Sequence, residues 1–199
     1  MKAQRFLSIG LGMALFLVLL GCSKSSDGDD QLQNDQYYIK FKVDGQDVTF
    51  ANDNQYSTVL GTFNVPGSNG DQYASSIIAS KSTDGSNADA FTIICGTLDE
   101  AEIQVTYTNY TANAPKMKTY TFLGTYGNVN DKIYGTVDET LMGLFENTKA
   151  DSEITFTEVT DKTLKGTFIG TWYDISADNY PSIKITQGAF FVPRIKNKD

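Results

Sequence analysis

From Tyr37 onward, apolar and polar residues alternate with a period of two, and no other property of the chain limits its fold so sharply. Successive side chains on a β-strand point to opposite faces, so this alternation describes half-buried strands. Tyr37-Tyr38-Ile39-Lys40-Phe41-Lys42-Val43 sets Ile39, Phe41 and Val43 against Lys40 and Lys42. Asp44-Gly45 follows, then Gln46-Asp47-Val48-Thr49-Phe50. Asp-Gly between two alternating runs predicts a tight hairpin, because both turn positions take positive φ. Further strands are expected over 56–65, 73–81, 90–98, 102–108, 117–126, 132–137, 153–160, 163–173 and 182–195, all rich in Thr, Tyr, Phe, Ile and Val. The breaks at 66–70, 84–87, 109–115, 127–131 and 176–181 collect Gly, Asn, Asp and Pro, the residues of turns. Short strands at this spacing predict a single all-β domain over residues 37–199. An antiparallel β-sandwich is expected, with a lipocalin-like β-barrel as the alternative. One helical turn is read at 139–145, where the apolar residues of Leu141-Met142-Gly143-Leu144-Phe145 fit helical spacing.

Residues 153–173 predict the second clear hairpin, with Asp161-Lys162 at its turn. Ile154 and Phe156 share one face of the first strand. Leu164, Gly166, Phe168, Gly170 and Trp172 share one face of the second. Trp172 is the single tryptophan. If that face is the core, Trp172 is a packing anchor, with Gly166 and Gly170 leaving space beside it. If the strand bulges at Gly170, the alternation slips by one and Trp172 faces solvent beside the 174–181 loop. Core packing is the expectation. Gly-Thr pairs at Gly61, Gly96, Gly124, Gly135, Gly166 and Gly170 follow no common interval, which excludes a regular repeat. Glycines inside strands predict bends or close backbone approach.

The N-terminus carries a different kind of information. Lys2 and Arg5 precede an apolar stretch, Phe6 to Leu20, and then Leu19-Leu20-Gly21-Cys22. A basic start, an apolar run and a small residue form the layout of a secretory signal. The run is short for a hydrocarbon core that needs ~20 apolar residues, which argues against an uncleaved anchor. The placing of Cys22 resembles the lipobox of bacterial lipoprotein precursors. That resemblance implies acylation of Cys22 through sulfur, cleavage before it, and acylation of its new amino group. Two or more acyl chains give stable membrane anchoring. Residues 1–21 are then a lipoprotein signal peptide and residues 22–36, with one apolar residue after Cys22, an acidic flexible tether. Asp27, Asp29 and Asp30 resemble the acidic surface-export signal of Bacteroidetes lipoproteins, although Lys24 and two serines come first. This implies an outer-membrane protein at the cell surface, the periplasmic face being the alternative. The tail, Gly166-Thr167-Phe168 and then Ile185-Thr186-Gln187-Gly188-Ala189-Phe190, resembles the ending of small Bacteroidetes outer-membrane lipoproteins with an all-β mature domain. That group implies fold and location and supplies no activity.

Composition removes several chemistries. The formal net charge of −8 becomes −10 once Lys2 and Arg5 leave with the signal. Nucleic acid is not an expected partner, because phosphate neutralisation needs a basic surface. The chain has no histidine, which removes His-based nucleophile activation and His-ligated metals. Cys95, within Phe91-Thr92-Ile93-Ile94-Cys95, reads as a small core residue and not as a reactive thiol. With Cys22 acylated, no intrachain disulfide is possible. Carboxylate catalysis would draw on Asp99, Glu100, Glu102, Asp138 and Glu139, yet all sit beside strand ends, where solvated turn carboxylates are the ordinary explanation. Asn52-Asp53-Asn54, residues 84–89 and residues 128–131 offer oxygen ligands, but none completes a spaced calcium loop. No catalytic activity, cofactor or metal is expected.

The aromatic content is the remaining functional lead: eleven tyrosines, twelve phenylalanines and one tryptophan. Tyr107, Tyr110, Tyr126, Tyr173 and Tyr180 fall at loops or strand ends. An aromatic platform edged by Asn, Asp and Thr suits a sugar, with an apolar face and polar groups that fix orientation. Tyr107, Tyr110, Trp172, Tyr173 and Tyr180 are the candidate ligand residues of a surface module for a glycan or similar extracellular ligand. The competing reading is a structural or adhesion envelope lipoprotein, partnered by another envelope protein, whose tyrosines serve packing.

Overall fold

The structure, a computed structural model, describes residues 37–52, 55, 57–67, 72–82, 88–109, 117–119, 121–128, 132–137, 148–174 and 176–196. Its strands are β1 (Tyr38–Val43), β2 (Gln46–Ala51), β3 (Thr58–Pro66), β4 (Tyr73–Lys81), β5 (Asp89–Thr97), β6 (Thr106–Thr108), β7 (Met117–Lys118), β8 (Thr121–Asn128), β9 (Ile133–Gly135), β10 (Glu153–Val159), β11 (Thr163–Tyr173) and β12 (Ser182–Pro193). The all-β class is as the alternation predicts. Asp44 and Gly45 form the first hairpin turn at φ 49° and 89°, the positive values that Asp and Gly tolerate best. The Asp44 carboxylate also accepts the Lys184 N–H at 2.8 Å, tying this turn to β12. At the second hairpin, Thr160 Oγ1 accepts the Thr163 N–H at 2.9 Å and closes the turn before β11.

Three expected strands are cut short or divided, the 132–137 segment pairing only as β9. The 102–108 segment pairs only as β6, because residues 103–104 turn, with Gln104 at φ 70° and its N–H donated to the Phe156 carbonyl at 2.8 Å. The 117–126 segment divides into β7 and β8. The helical turn expected at 139–145, the signal peptide and the tether lie outside the described residues.

The strands form one sheet in the order β2-β1-β12-β11-β9-β8-β5-β4-β3. Along this path every pairing is antiparallel. On its other side β11 first pairs with β10, then meets β9 at Tyr173↔Gly135; β10 continues to β6, which pairs with β7 in parallel. The far end of the path comes back to the segment that follows β12. Gly61 of β3 bridges Arg194 just past β12, and the Ile195 N–H donates to the Gly61 carbonyl at 2.8 Å. The sheet is therefore nearly closed and barrel-like, a geometry that fits the barrel alternative of the sequence reading.

The interior is packed with rings. Phe91 lies 4.9 Å from Phe41, 5.0 Å from Phe168 and 5.5 Å from Trp172, centroid to centroid. A second set joins Phe156 to Phe63 at 5.0 Å and to Phe190 at 5.7 Å. Alternation along β11 holds through Gly170, so Leu164, Phe168 and Trp172 all face inward. The slip occurs on the neighbouring strand. Gln187, at φ 53°, is an extra residue on β12, and the register shifts against both β1 and β11 there. Ile183 and Ile185 point inward before it, Phe190 and Val192 after it. One bulge thus resets the parity of a strand whose apolar residues switch from odd to even positions.

The outward faces of the two walls differ. Across β3, β4, β5 and β8 the register sets Leu60↔Ile78↔Thr92↔Thr125 in one row and Thr62↔Ser76↔Ile94↔Leu123 in the next. Across β1, β12, β11 and β10 the outward residues include Lys40, Lys42, Lys165, Lys184, Glu153 and Glu158.

Candidate functional site

The structure does not gather the predicted rings into a platform. Trp172 at the end of β11 is 0 % exposed, stacked on Phe91 at 23° between ring planes. The space for its indole comes from Gly124 on β8, where a Cβ would lie 2.7 Å from Trp172 Cζ2. This corrects the expectation that Gly166 and Gly170 make that space: a side chain at Gly166 would meet Phe190, and one at Gly170 would meet Ser152. Distant pairing decides such a contact, and local sequence carries no sign of it.

Tyr107 and Tyr173 are 2 % and 4 % exposed. The Tyr107 hydroxyl accepts the Glu102 N–H at 2.7 Å, and the Tyr173 hydroxyl accepts the Lys149 N–H at 2.8 Å. Burial pushes both phenols above the ordinary tyrosine range. Each ring therefore packs below the surface and uses its hydroxyl to hold a loop. Tyr180 is half-buried, at φ 47°, within the 174–181 loop. Tyr110 lies outside the described residues. Tyr107 and Tyr173 are thus core or near-core side chains, which is a correction to their reading as a ligand surface, while Trp172 packs in the core as its alternation led one to expect.

Polar side chains that sequence reading placed in loops or strands prove to be internal ties. Buried Asn109 donates Nδ2–H to the Val137 carbonyl at 3.0 Å and accepts the Ser152 N–H at 2.9 Å. Asn64, at φ 52°, holds both backbone groups of Ala101, at 2.8 and 3.0 Å. Asp151 takes the Thr171 N–H and hydroxyl, each at 2.7 Å. The signal in each case is a short amide or carboxylate opposite unpaired backbone, which requires the fold to recognise.

The 174–181 loop is organised by Asp174, whose Oδ1 accepts the Ser176 hydroxyl at 2.6 Å and N–H at 3.0 Å. Those bonds hold the Asp174 carboxyl below the usual carboxylate range. Asp99, Glu100 and Glu102 are exposed, and Asn52 spends its side-chain oxygen on the Val59 N–H at 2.7 Å. Among the described residues no group of three His, Cys, Asp or Glu side chains is placed to hold a metal ion. Cys95 is buried, and burial pushes its thiol up to about 12, so it is protonated and inert at neutral pH.

Open space lies on the outside. A groove of about 310 Å³ runs along the seam between β3 and the end of β12, lined by Asn64, Pro66, Asp161, Arg194 and Lys196 among others. Its cations are partly engaged: Arg194 Nη1 donates to the Thr160 carbonyl at 3.0 Å and Lys196 pairs with Asp161 at 2.9 Å, while the buried Arg194 Nε–H has no partner among the described residues. A smaller hollow of about 230 Å³ sits over the Gln187 bulge, beside Thr155, Thr167 and Ile169. Comparison of the chain with protein-family models, with characterised proteins and with solved structures returned no match.

Proposed function

We propose that this chain is a lipid-anchored cell-envelope protein whose β-domain acts through its outer surface and not through an interior ligand site. Support for the anchor comes from the sequence: the apolar run ending in Leu19-Leu20-Gly21-Cys22, and the acidic stretch that follows. The outer membrane, with the domain at the cell surface, is the corresponding location. Support for an outer-surface role comes from one observation, the ring-filled interior around Phe91 and Trp172. A small barrel-like sheet encloses either its own side chains or a small ligand, and the buried face of this nearly closed sheet carries rings in contact with one another. The reading favours a structural or adhesion component over a glycan module, since Tyr107, Trp172 and Tyr173 lie in the packed interior.

Palmitate labelling in cells and a glycan array test the two halves. Label should enter the wild type and be lost in Cys22→Ala; equal labelling of both would refute the anchor. The array should show no saturable binding. Saturable binding that Tyr180→Ala abolishes would overturn the outer-surface reading in favour of the glycan module.

A further inference from the structure

We propose that the outer wall formed by β1, β12 and β11 docks on the phosphate headgroups of the bilayer that anchors the chain, and so orients the β-domain on the membrane. This rests on the lipid-anchor reading for its setting. The first support is charge. The three strands carry Lys40, Lys42, Lys165 and Lys184 and not one Asp or Glu, in a chain whose net charge is −8. All four lysines face outward. Lys42 and Lys165 reach carboxylates only on the flanking strands, Asp47 of β2 at 3.2 Å and Glu158 of β10 at 3.0 Å, and such solvent-exposed pairs contribute little. Lys40 and Lys184 have no carboxylate partner among the described residues. An anionic surface is attracted to this wall, while the surplus carboxylates elsewhere on the chain turn other faces away from it.

The rings beside these lysines supply the second support. Tyr38 and Phe191 are cross-strand neighbours on the wall, with centroids 6.5 Å apart. The Lys40 ammonium lies 4.8 Å from the centre of the Tyr38 ring, and that of Lys165 lies 4.9 Å from the centre of Phe191. Half-buried rings beneath lysine ammonium groups suit the headgroup level of a bilayer, where rings meet the apolar side and ammonium groups meet phosphate. Position is the third support. β1 opens on this wall at Tyr38, and the stretch from Cys22 to Tyr37 reaches no more than ~50 Å even when fully extended. The lysine wall is therefore kept close to the bilayer by the chain that leads into it. A free acidic protein would satisfy the charge, but nothing holds one there. Mobile headgroups also need no shape match to a convex wall, so a contact too weak to capture a soluble partner suffices to orient an anchored domain.

The mature chain from Cys22 to Asp199, which contains every described residue, is coupled through the Cys22 thiol to a maleimide lipid in vesicles. Cys95 is buried and stays unreacted. This anchor owes nothing to acylation in cells, so a failed palmitate test and a failed docking test are told apart. The vesicles are phosphatidylcholine alone or phosphatidylcholine mixed with phosphatidylglycerol, and lysines are acetylated briefly and read by mass spectrometry. Lys40 and Lys184 should react about fivefold more slowly on the phosphatidylglycerol vesicles and regain their rate in about 1 M salt. Lys81 on β4 should react alike on both. Lys40→Glu with Lys184→Glu should remove the slowing at Lys165, while the charge-matched Lys81→Glu with Lys132→Glu should leave it; all four substituted lysines are exposed. Equal rates at Lys40 and Lys184 on the two kinds of vesicle would overturn the proposal. So would slowing at Lys81 as strong as at Lys40, which would mean general nearness to the bilayer. Slow Lys40 and Lys184 on the neutral vesicles as well would also overturn it, since another part of the chain, such as residues 27–30, would then cover the wall. Slowing at Lys165 that survives Lys40→Glu with Lys184→Glu would count against it equally.

Discussion

Trp172 shows how far a single residue could be read. Alternation along 164–172 placed it on the core face, and it is fully buried there. Its neighbours could not be read, because Gly124 comes from β8, far away in the chain. Trp172→Ala should cost ~3–5 kcal/mol, a large share of the ~5–15 kcal/mol a domain has, measured by urea unfolding. The indole N–H has no partner among the described residues, so Trp172→Phe discards a buried orphan donor along with some volume. It should cost clearly less than Trp172→Ala; equal costs would mean the pocket is not shaped around the indole. Cys95 follows from the same logic of burial. Its thiol should resist a disulfide reagent at pH 8 in the folded protein and react fully once the chain is unfolded. Rapid labelling of the folded protein would contradict its place in the core.

Hairpins were the most legible elements, because Asp44-Gly45 and the 160–163 turn carry their geometry in local chemistry. The β12 bulge was legible in principle: apolar positions pass from 183 and 185 to 190 and 192, a change of parity no regular strand allows. Deleting Gln187 would force one half of β12 to face the wrong way and should prevent folding. Gln187→Gly, which relieves the positive φ, should be tolerated or mildly stabilising, by circular dichroism and thermal unfolding. The 174–181 loop carries a pH signature. Because Ser176 lowers the Asp174 carboxyl in the folded state, its contribution is complete above the unfolded value of about 3.9 and fades as pH falls toward the folded one. The protection of the Ser176 amide against exchange, relative to its intrinsic rate at each pH, should therefore fall on acidification below about pH 4, and Asp174→Asn should remove that dependence. An unchanged profile in the variant would place the effect elsewhere.

Across the whole molecule, class was legible and closure was not. Alternation with turn-rich breaks specifies antiparallel strands with one buried face, as sandwiches and barrels both require. What brings the sheet near closure is contact between Gly61 and the segment after β12, including the Arg194 bridge and the Ile195 N–H. No periodicity announces a pairing between residues so far apart in sequence. The functional candidates failed for a related reason: tyrosines at strand ends look exposed until the fold buries them, as it does Tyr107 and Tyr173, whose hydroxyls accept the Glu102 and Lys149 N–H groups. The account rests on an interior filled by the protein's own rings, with Trp172 among them, and the single tryptophan lets one spectrum report on it. Steady-state fluorescence of the folded protein, titrated with iodide, is the direct measurement. Emission well to the blue of free tryptophan and resistant to quenching is the predicted result, whereas emission like free tryptophan in water with ready quenching would contradict the filled interior.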